Sequence, residues 1–177
     1  MPHKNERVIL GIDPGTATTG YGVLLERQNK FECLDYGCIY TSPNAADAER
    51  LNLIHHRLKA LLKKHQPSVV GVERLFFAAN AKTAMSVSQA RGVILLTIEQ
   101  NKIPMLEFTP LQIKQAVTGQ GRADKTQVQK MIKMLLGLNE IPKPDDAADA
   151  LAIALCCAQS HSSSPFGRTY GRSPEGG

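Results

Sequence analysis

The stretch Arg7-Val8-Ile9-Leu10-Gly11-Ile12-Asp13-Pro14-Gly15 decides the architecture. Its apolar, largely β-branched run is stopped by proline and glycine, the pattern of a central strand buried on both faces that ends in a turn. A carboxylate, Asp13, stands at that end. Working outward, 20–26 and 30–41 read as two further strands around the polar turn 27–29, so three consecutive strands form an antiparallel meander. Leu51, Ile54, Leu58, Leu61 and Leu62 then recur at helical spacing within 46–65, and Pro67 marks the exit. Residues 68–73, with Val69, Val70 and Val72, repeat the opening pattern: a buried strand closed by a carboxylate, now Glu73. A second helix over 81–101, a fifth strand over 104–108 and helices over 109–118 and 125–136 follow, the last two separated by Gly119-Gln120-Gly121. Pro142 and Pro144 precede a final helix beginning at Asp145.

Three strands followed by helices alternating with two more strands predict an α/β domain with a five-stranded mixed sheet flanked by helices. Right-handed crossovers place the later strands parallel to the first. With the first and fourth strands as neighbours, Asp13 and Glu73 emerge together at one edge of the sheet, where such folds place their ligands. The final helix opens Pro144-Asp145-Asp146-Ala147-Ala148-Asp149-Ala150-Leu151-Ala152. Asp146 and Asp149 are three apart and share a face with Ile153, which is expected to pack on the sheet together with Ala150. Acids in a first helical turn ordinarily serve as caps or partners of the helix dipole, and Asp145 is assigned that role. Convergence with Asp13 and Glu73 argues for more in the other two. Two carboxylates about 4 Å apart repel by roughly 4 kcal/mol at an effective dielectric of about 20, so a cluster of four needs protons or cations. Oxygen donors without His or Cys suit Mg2+, with Mn2+ as a substitute, and two ions roughly 4 Å apart suit in-line phosphodiester hydrolysis.

The 177-residue chain is long enough for one compact core, and its net charge of +5 favours an anionic partner. Residues 1–159 are expected to form a single domain. The Ser-, Gly-, Pro- and Arg-containing segment 160–177 is expected to be a disordered tail. The polar start has neither the apolar core nor the cleavage site of a signal peptide, and no apolar run is long enough to span a bilayer. Cys33, Cys38, Cys156 and Cys157 lack the spacing of a zinc site and read as buried thiols of a cytoplasmic protein. The basic residues of 46–65 (His55, His56, Arg57, Lys59, Lys63, Lys64, His65) read as a solvated helix face.

These residues resemble a known family. Gly11-Ile12-Asp13-Pro14-Gly15 with Thr19-Gly20-Tyr21-Gly22 looks like the opening of the RuvC family of Holliday-junction resolvases, and Glu73-Arg74-Leu75-Phe76 is similar to its second acidic motif. Gln89-Ala90-Arg91-Gly92, Gln112-Ile113-Lys114-Gln115 and Asp146-Ala147-Ala148-Asp149-Ala150-Leu151-Ala152 follow in family order and spacing. The resemblance implies a ribonuclease H-like fold and a homodimer that nicks two like-polarity strands of a four-way DNA junction symmetrically. It implies RuvA and RuvB branch-migration proteins as partners. By motif position, Asp13, Glu73, Asp146 and Asp149 become the metal-binding catalytic carboxylates. Lys114 and Lys125 match basic positions near the scissile phosphate. Phe76 matches an aromatic position at the junction centre, with Phe77 beside it, and stacking on bases is its implied role. Lys82 and Arg122 are further candidate DNA contacts.

Two rival readings exist. Gly11-Ile12-Asp13-Pro14-Gly15-Thr16 also resembles the phosphate-binding opening of actin-like and sugar-kinase-like ATPases, although those need two such domains around a nucleotide. The other is a non-catalytic junction-binding module. ATP turnover would favour the first, and junction binding without metal-dependent nicking the second.

Overall fold

The computed structural model describes residues 6–74 and 81–162, without the side chains of 81–83 and 161–162. Strands β1 (Glu6–Asp13), β2 (Thr18–Arg27) and β3 (Lys30–Tyr40) form the antiparallel meander. After helix α1 (Asp47–His65) come β4 (Val69–Glu73), α2 (Ala81–Gln100) and β5 (Met105–Phe108), then α3 (Pro110–Thr118), α4 (Lys125–Leu135) and α5 (Asp145–Ser162). The sheet order is β3-β2-β1-β4-β5, with β4 and β5 parallel to β1, as the crossover rule requires. This is the expected five-stranded mixed sheet. Helix α5 continues to Ser162, slightly beyond the predicted domain end at 159, and 163–177 lie outside the described residues.

Strand alternation divides the core between two faces. Leu10, Ile12, Val23, Val70 and Val72 point to one side, where Ile54, Leu58 and Leu62 of α1 and Ala90, Ile94 and Ile98 of α2 cover them. Ile9, Leu24 and Val69 point to the other, against the apolar run of α5 and the inner sides of α3 and α4. The helices start and stop where local chemistry dictates. Thr109 and Asp124 cap α3 and α4, each with a glutamine three residues on that bonds back to the cap amide. Gly119 ends α3 in the left-handed conformation that its missing Cβ permits.

Helix α5 lies unusually close to the sheet because glycines line its seat. Gly22, Gly11 and Gly71 are direct cross-strand partners on β2, β1 and β4, forming a transverse row on the α5 face. A Cβ on Gly11 would come within 2.1 Å of the Ala150 carbonyl oxygen, and one on Gly20 within 2.0 Å of the Asp146 carbonyl oxygen. Glycine inside a strand marks close approach, and here the α5 backbone meets Gly11 and Gly22 while the Cys157 and Ile153 side chains meet Gly71.

The solvated face expected for α1 is only partly solvated. His55 Nδ1 is 2.8 Å from the buried Thr97 hydroxyl on α2. Lys64 Nζ and His65 Nε2 lie 2.8 Å and 2.9 Å from one Asp35 oxygen. A bulge explains the second contact: Val23 pairs with Asp35 but Leu24 with Cys33, which turns Asp35 off the Cys33 face toward α1. Burial raises the Asp35 pKa, but hydrogen bonds and charge from Lys64 and His65 outweigh it and hold the carboxyl below its ordinary value. Residues that read as one charged stripe therefore fasten α1 to the sheet and to α2.

Candidate active site

The acids are delivered on one of the two faces just described, the one that α5 covers. Ile9, Gly11 and Asp13 alternate onto the α5 side of β1, and Val69, Gly71 and Glu73 onto the α5 side of β4. The parallel register runs to Ile12 opposite Val72, so Asp13 and Glu73 are the next pair along. They are hydrogen-bonded to each other. From α5, Asp146 sits over Gly20, the cross-strand partner of Asp13, and Asp149 follows one turn later.

The electrostatics record the crowding. Burial, then the charges of Glu73, Asp149 and Asp146, push the Asp13 carboxyl from its ordinary 3.8 to about 8. Glu73 is raised as well, chiefly by burial, although its hydrogen bond with Asp13 works in the opposite direction. Two buried carboxyls in contact resist ionising together, so both are shifted toward their protonated forms. Asp149 is raised by burial, with Lys125 partly offsetting the effect. Among the described residues, no three His, Cys, Asp or Glu side chains are gathered tightly enough to form a ready metal cage. The arrangement is a buried carboxyl pair flanked by two acids, all oxygen donors, whose mutual repulsion a hard divalent cation is suited to relieve.

Beside the acids runs a cleft of about 230 Å³. Glu73 and Asp149 border it together with Lys114 and Lys125, while Pro110, Ile113, Val128, Ala152 and Ile153 supply its apolar lining. Helix α3 positions Lys114 one residue after the buried Ile113, and the Asp124 cap fixes the start of α4 at Lys125. Lys125 Nζ lies 3.2 Å from an Asp149 oxygen and 3.3 Å from an Asp145 oxygen. Burial lowers its pKa, but the two carboxylates prevail and raise it overall.

One role differs from expectation. Asp145, assigned as a helix cap, instead directs its carboxylate sideways to Lys125 and accepts a hydrogen bond from Gln129 Nε2 at 3.0 Å. The reason is the proximity of α4, whose first two turns present a cation and an amide to that position. Gln129 was not anticipated, and its spacing of four from Lys125 is the signal that could have found it. Arg122 is exposed in the link between α3 and α4. Lys82 falls in the first turn of α2, but its side chain lies outside the described residues, as do Phe76 and Phe77. In the loop after Asp13, the Thr16 hydroxyl donates to the Ser86 carbonyl at 2.6 Å and accepts from the Ser86 hydroxyl at 2.7 Å, so it serves to hold the loop against α2.

Comparison with known proteins adds independent findings. A family model described as "Crossover junction endodeoxyribonuclease RuvC" matches residues 9–157. The crossover junction endodeoxyribonuclease RuvC of Caldicellulosiruptor saccharolyticus is 53% identical over 156 residues, covering 88% of this chain and 94% of that protein. Its counterpart in Desulfitobacterium hafniense is 55% identical over 153 residues, covering 86% and 93%. Among solved structures, Thermus thermophilus RuvC aligns with a TM-score of 0.81 at 37% identity, covering 88% of this chain and 95% of that one. The same protein in complex with Holliday junction substrate aligns with a TM-score of 0.80 at 34% identity, covering 88% and 96%.

Proposed function

We propose, from the premise that this chain belongs to the RuvC family of crossover junction endodeoxyribonucleases, that it resolves four-way DNA junctions by nicking two strands of like polarity. The observation that carries the catalytic part is the adjacent, buried Asp13 and Glu73 at neighbouring strand ends, with Asp146 and Asp149 beside them at the edge of a cleft bordered by two lysines. The ATPase alternative gains nothing comparable, since the family match runs through the whole α/β domain and not only its opening loop.

In this reading Asp13, Glu73, Asp146 and Asp149 hold Mg2+, two ions per site, with Mn2+ able to substitute. Bound there, the cations would activate water and neutralise charge on the scissile phosphate. The chain's own contribution is placement. Asp13 and Glu73 are held close by neighbouring strand ends, and a cation bound there would relieve the repulsion that burial magnifies. Lys114 and Lys125 offer ammonium groups along the cleft for backbone phosphates and for charge developing in the transition state. Arg122 and Lys82 extend the contact to flanking DNA, and Phe76 and Phe77 stack on bases at the junction centre. A homodimer supplies the two symmetric cuts, with RuvA and RuvB as the branch-migration partners.

The direct test incubates the protein with a synthetic mobile four-way junction and with linear duplex, in magnesium and in chelator. Paired symmetric nicks are expected on the junction alone and in magnesium alone. Equal cutting of the duplex, or undiminished cutting in chelator, sinks the proposal. Lys114→Ala is expected to slow single-turnover nicking roughly a hundredfold, the scale of losing one transition-state donor. A change only in junction affinity, with an unaltered rate at saturation, would assign Lys114 to backbone grip instead.

A further inference from the structure

We infer that Asp145 is a positioning residue for Lys125: it tethers the ammonium at the mouth of the carboxylate site once a divalent cation has claimed Asp149. The inference rests on the assignment of Asp13, Glu73, Asp146 and Asp149 as cation ligands.

Four side chains on two helices make the arrangement. On α4, Lys125 and Gln129 are four apart, and on α5, Asp145 and Asp149 are four apart, so each pair shares a helix face. Lys125 Nζ stands almost equidistant from the two carboxylates, 3.3 Å from Asp145 and 3.2 Å from Asp149. The partners are not equivalent. Asp149 borders the cleft and its charge reaches Asp13, whereas the Asp145 side chain is 61% exposed and is engaged by Lys125 through one oxygen and by Gln129 through the other. Asp145 is thus oriented from α4 and not from the acid cluster.

The division has a consequence when the site is loaded. A cation sharing the Asp149 carboxylate weakens its pull on Lys125 and repels the ammonium directly. A lysine held by Asp149 alone would then return to solvent, where its long side chain regains rotamer freedom. Asp145 keeps its full charge outside the cation's ligand set, and the Gln129 amide restrains it from turning away. Lys125 is therefore retained within reach of a phosphate in the cleft instead of being expelled.

The test uses the full chain and three measurements: single-turnover nicking of a four-way junction at saturating magnesium, calorimetric magnesium binding without DNA, and junction affinity in chelator. Asp145→Asn is expected to slow nicking about five- to tenfold, while magnesium affinity and chelated junction affinity stay within about twofold. Asp145→Glu should recover most of the rate, and Gln129→Leu should show a smaller loss in the same direction. In a Lys125→Met background, Asp145→Asn should have no further effect, because the interaction it serves is already absent. An unchanged rate in Asp145→Asn, or an undiminished loss in the Lys125→Met background, overturns the tether. A tenfold fall in magnesium affinity would also overturn it, by making Asp145 a cation ligand. Failure of the unaltered protein to bind magnesium or to nick would instead defeat the carboxylate assignment itself, a result visible before any variant is made.

Discussion

Asp13→Asn is expected to abolish nicking, by a factor of about a thousand or more, while making the cation-free protein more stable at pH 8. The two effects have one cause. Burial and three neighbouring acids hold the Asp13 carboxyl at about 8, against an ordinary 3.8. An acid whose pKa is raised by folding adds stability that is fully present below about pH 4 and is lost as the pH rises through about 8. Each tenfold change in acidity is worth roughly 1.4 kcal/mol, so the loss is on the order of several kcal/mol, and sharing of the proton with Glu73 spreads it over both groups. Asparagine does not ionise, so the variant escapes the loss but cannot serve as an anionic cation ligand. Thermal melts in chelator at pH 5 and pH 8 should show the unaltered protein losing stability with pH more steeply than the variant. Magnesium should raise the melting temperature of the unaltered protein, and more at pH 8 than at pH 5. Junction binding in chelator should change by no more than a few-fold, because the lysines are untouched. A variant that nicks at a normal rate removes Asp13 from catalysis, and parallel pH profiles remove the shared proton.

Gly11→Ala is the second large effect, and it acts through packing alone. The new methyl would fall 2.1 Å from the Ala150 oxygen and 2.5 Å from the Ala154 nitrogen, both backbone atoms within α5. A flexible side chain could yield to such a contact, but a helix backbone must move as a unit. Overpacking usually costs about 1–3 kcal/mol, and this site should lie at or beyond the upper end. Any accommodation lifts α5 and carries Asp146 and Asp149 with it, so nicking should fall more than stability alone explains. Gly92→Ala is the contrast. Gly92 is an exposed position in α2 with nothing within 4 Å of an added Cβ, and alanine there should stabilise by about 0.5–1 kcal/mol. Denaturant midpoints of the two variants measure the difference, and equal midpoints would show that the glycine row is not tightly filled.

Much of this was legible in the sequence because the signals were periodic. Two β-branched runs, each closed by an acid, pointed to β1 and β4, and right-handed crossovers made them parallel, but their adjacency was a condition of the reading that only the sheet order supplies. The spacing of Asp146, Asp149 and Ile153 correctly pointed one side of α5 at the sheet, since a helix face follows from arithmetic. Contacts between elements were harder to read. Whether Asp145 capped its own helix or reached to another depended on where α4 lay, and no local pattern carried that. The α1 histidines failed for a related reason: a one-residue bulge at β3 turned Asp35 to meet His65, and a buried threonine on α2 met His55. Gly11, Gly22 and Gly71 interrupt the apolar runs of β1, β2 and β4. Only their alignment in register reveals that they form one trough.

That trough ties the enzyme's activity to the order in which it is made. All five strands, and with them Asp13 and Glu73, precede α5 in the chain. Without α5, one face of the sheet lacks the helix that fills its glycine row, and the other two acids are missing. On the proposed assignment of the four carboxylates, a chain cut short before Asp145 would carry half of the site on a sheet with one face uncovered. Because α5 both covers the sheet and carries Asp146 and Asp149, a chain truncated before Asp145 is expected to lack nicking activity on the proposed assignment, which a junction assay of the truncated protein checks.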